Sequence, residues 1–121
     1  MTRAIRYDGR RFRVIANVAN GESSAETIFE YSQTGNTVWA RYSGGAVRMG
    51  VLVGVVNDDQ SLDLRYHHIH SSGEFRSGRC HSVPELLADG RLRLKESWQW
   101  TTGDQSRGES VIEELEQDPR P

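Results

Sequence analysis

With 121 residues and a formal net charge of −2, the chain is long enough for one domain with a real core and too short for two. That balance gives no global reason to bind nucleic acid or an anionic membrane, and neither partner is expected. A single cysteine, Cys80, excludes an intramolecular disulfide. No apolar run approaches the roughly 20 residues that span a bilayer, and no apolar signal region opens the chain, so a soluble cytoplasmic protein is expected.

Arg3 to Asp8 reads as a short strand, turned by Asp8-Gly9 into a second run from Arg11 to Val18. Asp-Gly, and Asn20-Gly21 further on, suit tight turns because these residues tolerate positive φ. Ala25 to Ser32 alternates, with Thr27, Phe29 and Tyr31 opposite Glu26, Ile28 and Glu30. Thr34-Gly35-Asn36 turns it into Thr37 to Tyr42, where Val38, Ala40 and Tyr42 oppose Trp39 and Arg41 and either set can face inward. After Ser43-Gly44-Gly45 comes Ala46 to Val56, whose apolar face, Val47, Met49, Val51, Val53 and Val55, is expected to point into the core. Gly50 and Gly54 on its other face suggest bulges or close backbone approach. Leu62 to His70 aligns Leu62, Leu64, Tyr66, His68 and His70, and Glu74 to Ser82 follows.

Ser82-Val83-Pro84-Glu85 has the S-x-x-E spacing of a capping box with a proline in the first turn, which predicts one helical turn over 84–88. Beyond Asp89-Gly90, Leu92 to Thr101 alternates cleanly: Leu92, Leu94, Glu96, Trp98 and Trp100 share one face. A period of two marks a strand half buried in a sheet. The loop Thr101 to Arg107 either covers a pocket mouth or only turns the hairpin into the last strand. Gln117 to Pro121 is read as a disordered tail after a single domain over 1–116. Eight or nine short strands joined by hairpin-length loops predict an all-β, antiparallel up-and-down barrel.

The charges are segregated, with Arg3, Arg6, Arg10, Arg11 and Arg13 near the start and Glu109, Glu113, Glu114, Glu116 and Asp118 near the end. In a barrel the first and last strands are neighbours, so these groups are expected to pair across them. Fourteen of the fifteen basic residues are arginine, a bias that fits a G+C-rich bacterial genome as well as it fits any chemistry.

With the apolar faces inward, the interior inventory is Tyr66, His68, His70 and Glu96, walled by Trp98 and Trp100. A carboxyl group between tryptophans has its pKa raised by desolvation, and beside a histidine it can act as general acid or base. Glu96 and His68 are therefore the candidate catalytic pair; a structural Glu96–His68 or Glu96–Arg79 pair is the alternative. Phe29, Tyr31, Tyr66, Trp98 and Trp100 are the candidate ligand contacts. His67-His68-Ile69-His70 invites a metal reading, but only His68 and His70 share a face and no second pair has zinc-site spacing, so no metal site is assigned. Cys80 reads as a small buried hydrophobe rather than a nucleophile. No phosphate-binding glycine motif occurs, and no cofactor is expected. An exposed Trp39 or Leu52 would mark a dimer contact.

The runs Ala25-Glu26-Thr27-Ile28-Phe29, Leu62-Asp63-Leu64-Arg65-Tyr66, Glu96-Ser97-Trp98-Gln99-Trp100 and Gly108-Glu109-Ser110 resemble a group of small uncharacterised bacterial proteins of about this length. Members of that group often carry the label N-acetylglutamate synthase. The sequence does not support that label, since an acetyltransferase needs long helices and a glycine-rich acetyl-coenzyme A loop. The strand pattern is also similar to the calycin superfamily of lipocalins and fatty-acid-binding proteins, which implies a barrel with a small-molecule site. An early lipocalin Gly-x-Trp is missing, so no ligand class is carried over. Three functions follow: a binder of a small, partly apolar or aromatic molecule, with a homodimer as a further partner; an isomerase or cyclase using Glu96 or His68 for proton transfer; or a packed structural or interaction domain.

Overall fold

A computed structural model describes residues 4–18 and 20–116. Among them eight strands form: β1 (Arg11–Asn17), β2 (Ile28–Thr34), β3 (Thr37–Gly44), β4 (Val47–Val56), β5 (Leu62–His70), β6 (Phe75–Leu86), β7 (Leu92–Trp100) and β8 (Arg107–Glu114). Each pairs antiparallel with its chain neighbours and β8 returns to β1, so the sheet closes into the expected up-and-down barrel. Closure removes the exposed edges that an open sheet would have to protect. It also brings the charged ends of the chain together, with Arg10 Nη1 2.6 Å from Glu114 Oε1 and Arg13 opposite Glu113.

Strand alternation sets the interior. Phe12, Val38, Leu62, Leu64, Leu92, Leu94 and Ile112 are fully buried and fill one end of the barrel. The segment expected as a first strand is instead the plug of that end. Tyr7 is completely buried, its hydroxyl donates to the Gln60 carbonyl at 2.6 Å and its N–H to Gln33 Oε1 at 2.8 Å. Gly9, with φ of 78°, then reverses the chain into β1. Arg3 and the tail 117–121, read as disordered, lie outside the described residues.

Two further expectations are corrected. The 84–88 segment is not helical: β6 runs straight through Ser82-Val83-Pro84-Glu85, in register with Glu96 to Arg93 of β7. Pro84 is tolerated because β5 pairing ends at Leu62–Ser82, leaving no ladder on its other side to require an N–H. Two-fold alternation and a partner strand outweigh the capping-box spacing.

The second correction concerns β4. Only Val47 of its apolar set faces inward; Met49, Val51, Val53 and Val55 lie on the outer wall, Val53 at 56% exposure. A bulge between Val47 and Met49 inserts Arg48 opposite the His70–Ile69 step of β5 and inverts the parity. The inward positions beyond it are Gly50, Leu52 and Gly54. A Cβ at Gly50 would strike the Tyr42 ring, and its glycine is what lets that ring lie against β4. On β3, Val38, Ala40 and Tyr42 face inward and Trp39 outward.

Candidate functional site

Along β5 the inward face changes from Leu62 and Leu64 to Tyr66 and His68, and along β7 from Leu92 and Leu94 to Glu96, Trp98 and Trp100. Both strands therefore bring their polar and aromatic positions to the same end of the barrel, opposite the Tyr7 plug. There the interior is not filled. A cavity of about 60 Å³ is walled by Phe29, Tyr42, Tyr66, His68, Trp98, Trp100 and Glu96, with Leu52, Leu64 and Cys80 towards the core. The β1–β2 connection supplies Gly21, Glu22 and Ser23 at its mouth.

The aromatic groups brace one another edge to face. Trp100 lies 5.5 Å from Tyr66, 5.6 Å from His68 and 5.7 Å from Trp98, centroid to centroid, and Phe29 stacks on Tyr42 at 4.8 Å. The mouth is tied across two loops. Trp100 Nε1 donates to the Asn20 carbonyl at 3.2 Å, while Asn20 Nδ2 donates to Ser106 Oγ and the Arg107 carbonyl at 3.0 Å each. The Thr101–Arg107 loop thus stands at the cavity end of the barrel, holding the β1–β2 connection in place.

Glu96 and His68 both line the cavity without touching. Glu96 Oε2 accepts from Ser82 Oγ at 2.9 Å and Oε1 from Ser110 Oγ at 3.2 Å. Burial pushes its carboxyl up to about 7, and the bonds from Ser82, Ser110 and Cys80 only partly oppose that. Neither structural pairing expected for it forms, since Arg79 turns outward to Gln99 Oε1 at 2.7 Å. His68 Nε2 instead meets Glu22 Oε1 at 2.9 Å and its Nδ1 meets the Tyr42 hydroxyl at 2.9 Å. The other Glu22 oxygen accepts from Arg76 Nε at 2.8 Å. Burial works to raise the Glu22 carboxyl, but the bonds from His68 and Arg76 together hold it below the usual range. Burial also lowers the His68 pKa, against the pull of that carboxylate.

The remaining candidates divide. Phe29, Tyr66, Trp98 and Trp100 stand in the cavity wall. Tyr31 does not: it lies in the core with its ring edge-on to Phe12 at 5.2 Å, and its hydroxyl has no hydrogen-bond partner among the described residues. His70 turns to Ser72 in the β5–β6 loop, with 3.0 Å between Nδ1 and Oγ, away from His68. Among the described residues no three His, Cys, Asp or Glu side chains converge as metal ligands would. Cys80 is buried and free, and burial pushes its thiol well above the ordinary range. Ser82 and Ser110 follow from alternation once the register with β7 is known. Glu22 carries no signal in the sequence, because it sits in an irregular loop where no period marks an inward side.

No helix of the described chain is long and apolar enough to cross a membrane. A comparison with curated proteins finds no match. The profile of the avidin-like protein family matches residues 5–115, which takes in the plug and all eight strands. That fold is calycin-like, in agreement with the strand pattern. The closed eight-stranded barrel and a match over almost the whole chain give one conclusion: the chain belongs to the avidin-like family.

Proposed function

We propose that the chain binds one small, partly apolar molecule in the open end of its barrel. The observation that carries this reading is the aromatic-walled cavity containing a carboxyl group held near neutrality, Glu96, and a second, ionised carboxylate, Glu22, at its mouth. A packed core would fill this volume with aliphatic side chains, as the opposite end does. Small-molecule binding is typical of the avidin-like family. Trp98, Trp100, Phe29 and Tyr66 supply the apolar contact and Glu96 a polar one, while both ring nitrogens of His68 are already engaged, by Glu22 and by Tyr42. The size of the occupant is limited: an apolar cavity that takes benzene measures about 150 Å³, against about 60 Å³ here. Without movement of the mouth, the site suits a molecule of a few heavy atoms. Biotin, a ligand of the family, is far larger.

A thermal-shift screen of short alcohols, ketones, carboxylic acids and biotin tests the reading. A true ligand at a hundred times its Kd adds about 2.7 kcal/mol, which is easily seen. No shift with any of them would leave a barrel that is structural only. One observation favours an enzyme as a second reading. A carboxyl near 7 both gives and takes protons at neutral pH, as an isomerase or cyclase needs. Proton exchange from a bound ketone's α-carbon into deuterated water, lost in Glu96→Gln, would establish it.

The outer wall supports a homodimer as a further part of the proposal. Met49, Val51, Val53 and Val55 form an exposed apolar ridge on β4, with Trp39 beside it on β3. Val53→Arg is expected to halve the mass measured by light scattering, and an unchanged mass would remove the dimer. A buried free thiol suits a reducing compartment such as the cytoplasm.

A further inference from the structure

The hydrogen-bond chain Glu22–His68–Tyr42 fixes which kind of polar group the cavity accepts. Glu22 is held ionised by Arg76 and His68, and an ionised carboxylate only accepts. The proton in the Glu22–His68 bond therefore belongs to His68 Nε2. His68 is 3% exposed, and its burial favours the neutral ring, so its Nδ1 carries a bare lone pair. Among the described residues only Tyr42 faces that lone pair, at 2.9 Å, and must donate its single hydroxyl proton to it. Tyr42 stands in the cavity wall, and its oxygen is then left with lone pairs and no proton to offer.

From this geometry we propose that Tyr42 is the specificity-determining contact of the cavity, an obligate hydrogen-bond acceptor that selects small O–H or N–H donors over carbonyl compounds, with His68 and Glu22 as positioning residues. The inference rests on the binding reading above and deepens it. A buried polar contact disfavours an analogue lacking the matching group, because its own polar atom is then left unpaired.

2-Propanol and acetone serve as probes: they share a heavy-atom skeleton but differ in having a proton to donate. Both are titrated into the isotope-labelled full chain and followed by the NMR signals of Tyr42, His68 and Trp100. The expected result is 2-propanol binding about fivefold more tightly, the effect of one net hydrogen bond. Tyr42→Phe should weaken 2-propanol binding and bring the two probes to nearly equal affinity. Glu22→Gln should reverse the preference. The amide oxygen of that variant must turn to Arg76, so its NH2 faces His68 Nε2 and drives the ring proton to Nδ1. Tyr42 then accepts from His68 and its own proton is freed for a carbonyl. A structural role for the chain would not invert selectivity.

Acetone binding as well as 2-propanol to the wild type would overturn the inference and leave the cavity reading standing. Failure of both probes to move any cavity signal would overturn both. Should the variants not fold, nitrogen chemical shifts of His68 in the wild type still decide. A bare Nδ1 and protonated Nε2 support the inference; a protonated Nδ1 ends it.

Discussion

The two ends of the barrel are built from the same strands and follow opposite rules. At the plugged end the inward positions are mostly aliphatic or aromatic and buried, and Tyr7 and Glu114 enter with partners: Tyr7 to Gln60, and Glu114 to Arg10 and the Leu92 N–H. Two residues further along β5 and β7 the inward positions become Tyr66 and Glu96, and space is left between them. Aliphatic groups give close packing at little entropic loss, whereas polar groups around a void give chemistry and weaken the core. One end therefore holds the fold, and the other depends on that hold to keep an underfilled, partly charged interior.

The largest expected effect tests that division at the plugged end. Leu94→Ala removes a side chain with no exposure from the barrel core, and should cost about 2–5 kcal/mol by denaturant unfolding. Leu52→Ala, beside the cavity, should cost clearly less, since its site already borders open space. Equal losses would show that stability is spread along the barrel and would break the comparison.

A second, smaller effect measures how dry the cavity end is. The Glu96 carboxyl has a folded pKa of about 7 against an ordinary 4.5 because burial disfavours its charge. The wild type holds its full contribution below about pH 4.5. It loses it as the unfolded chain ionises ahead of the folded one, and is level again above about pH 7. Relative to Glu96→Gln, wild-type stability should fall by about 2 kcal/mol across that window. The whole shift would give about 3, but the Glu96 residue is only half-buried, which discounts it. A wild type that gains on the mutant with rising pH would show a carboxylate stabilised by a partner instead.

The legibility of the sequence follows the same division. Leu92 to Trp100 is readable because its two faces differ in character at every step, and the barrel follows from hairpin-length loops. The β4 strand misleads because its inward positions beyond the bulge are Gly50, Leu52 and Gly54. A ring from the neighbouring strand occupies the space a side chain would otherwise need, so the hydrophobic pattern points the wrong way. Arg48, the inserted residue, has no signature that distinguishes it from an ordinary strand residue. The site is half legible. Glu96 and His68 come from strand periodicity, while the partners that define His68 come from an irregular loop, Glu22, and from a strand of ambiguous facing, Tyr42.

The smallest expected effect locates the boundary between the two ends. Tyr31 is 2% exposed, lies next to Phe12 and has a hydroxyl with no hydrogen-bond partner among the described residues. A buried hydroxyl without a partner loses its hydration and regains nothing, so Tyr31→Phe should stabilise the protein by about 1 kcal/mol. The ring and its edge-on contact are retained, so no cavity term enters. The same variant should leave any ligand affinity unchanged, because Tyr31 is not in the cavity wall. A stability loss of similar size would mean that water reaches the Tyr31 hydroxyl from the cavity side. The wet end of the barrel would then extend one inward residue deeper along β2, from Phe29 to Tyr31, and Tyr31 would return as a ligand contact.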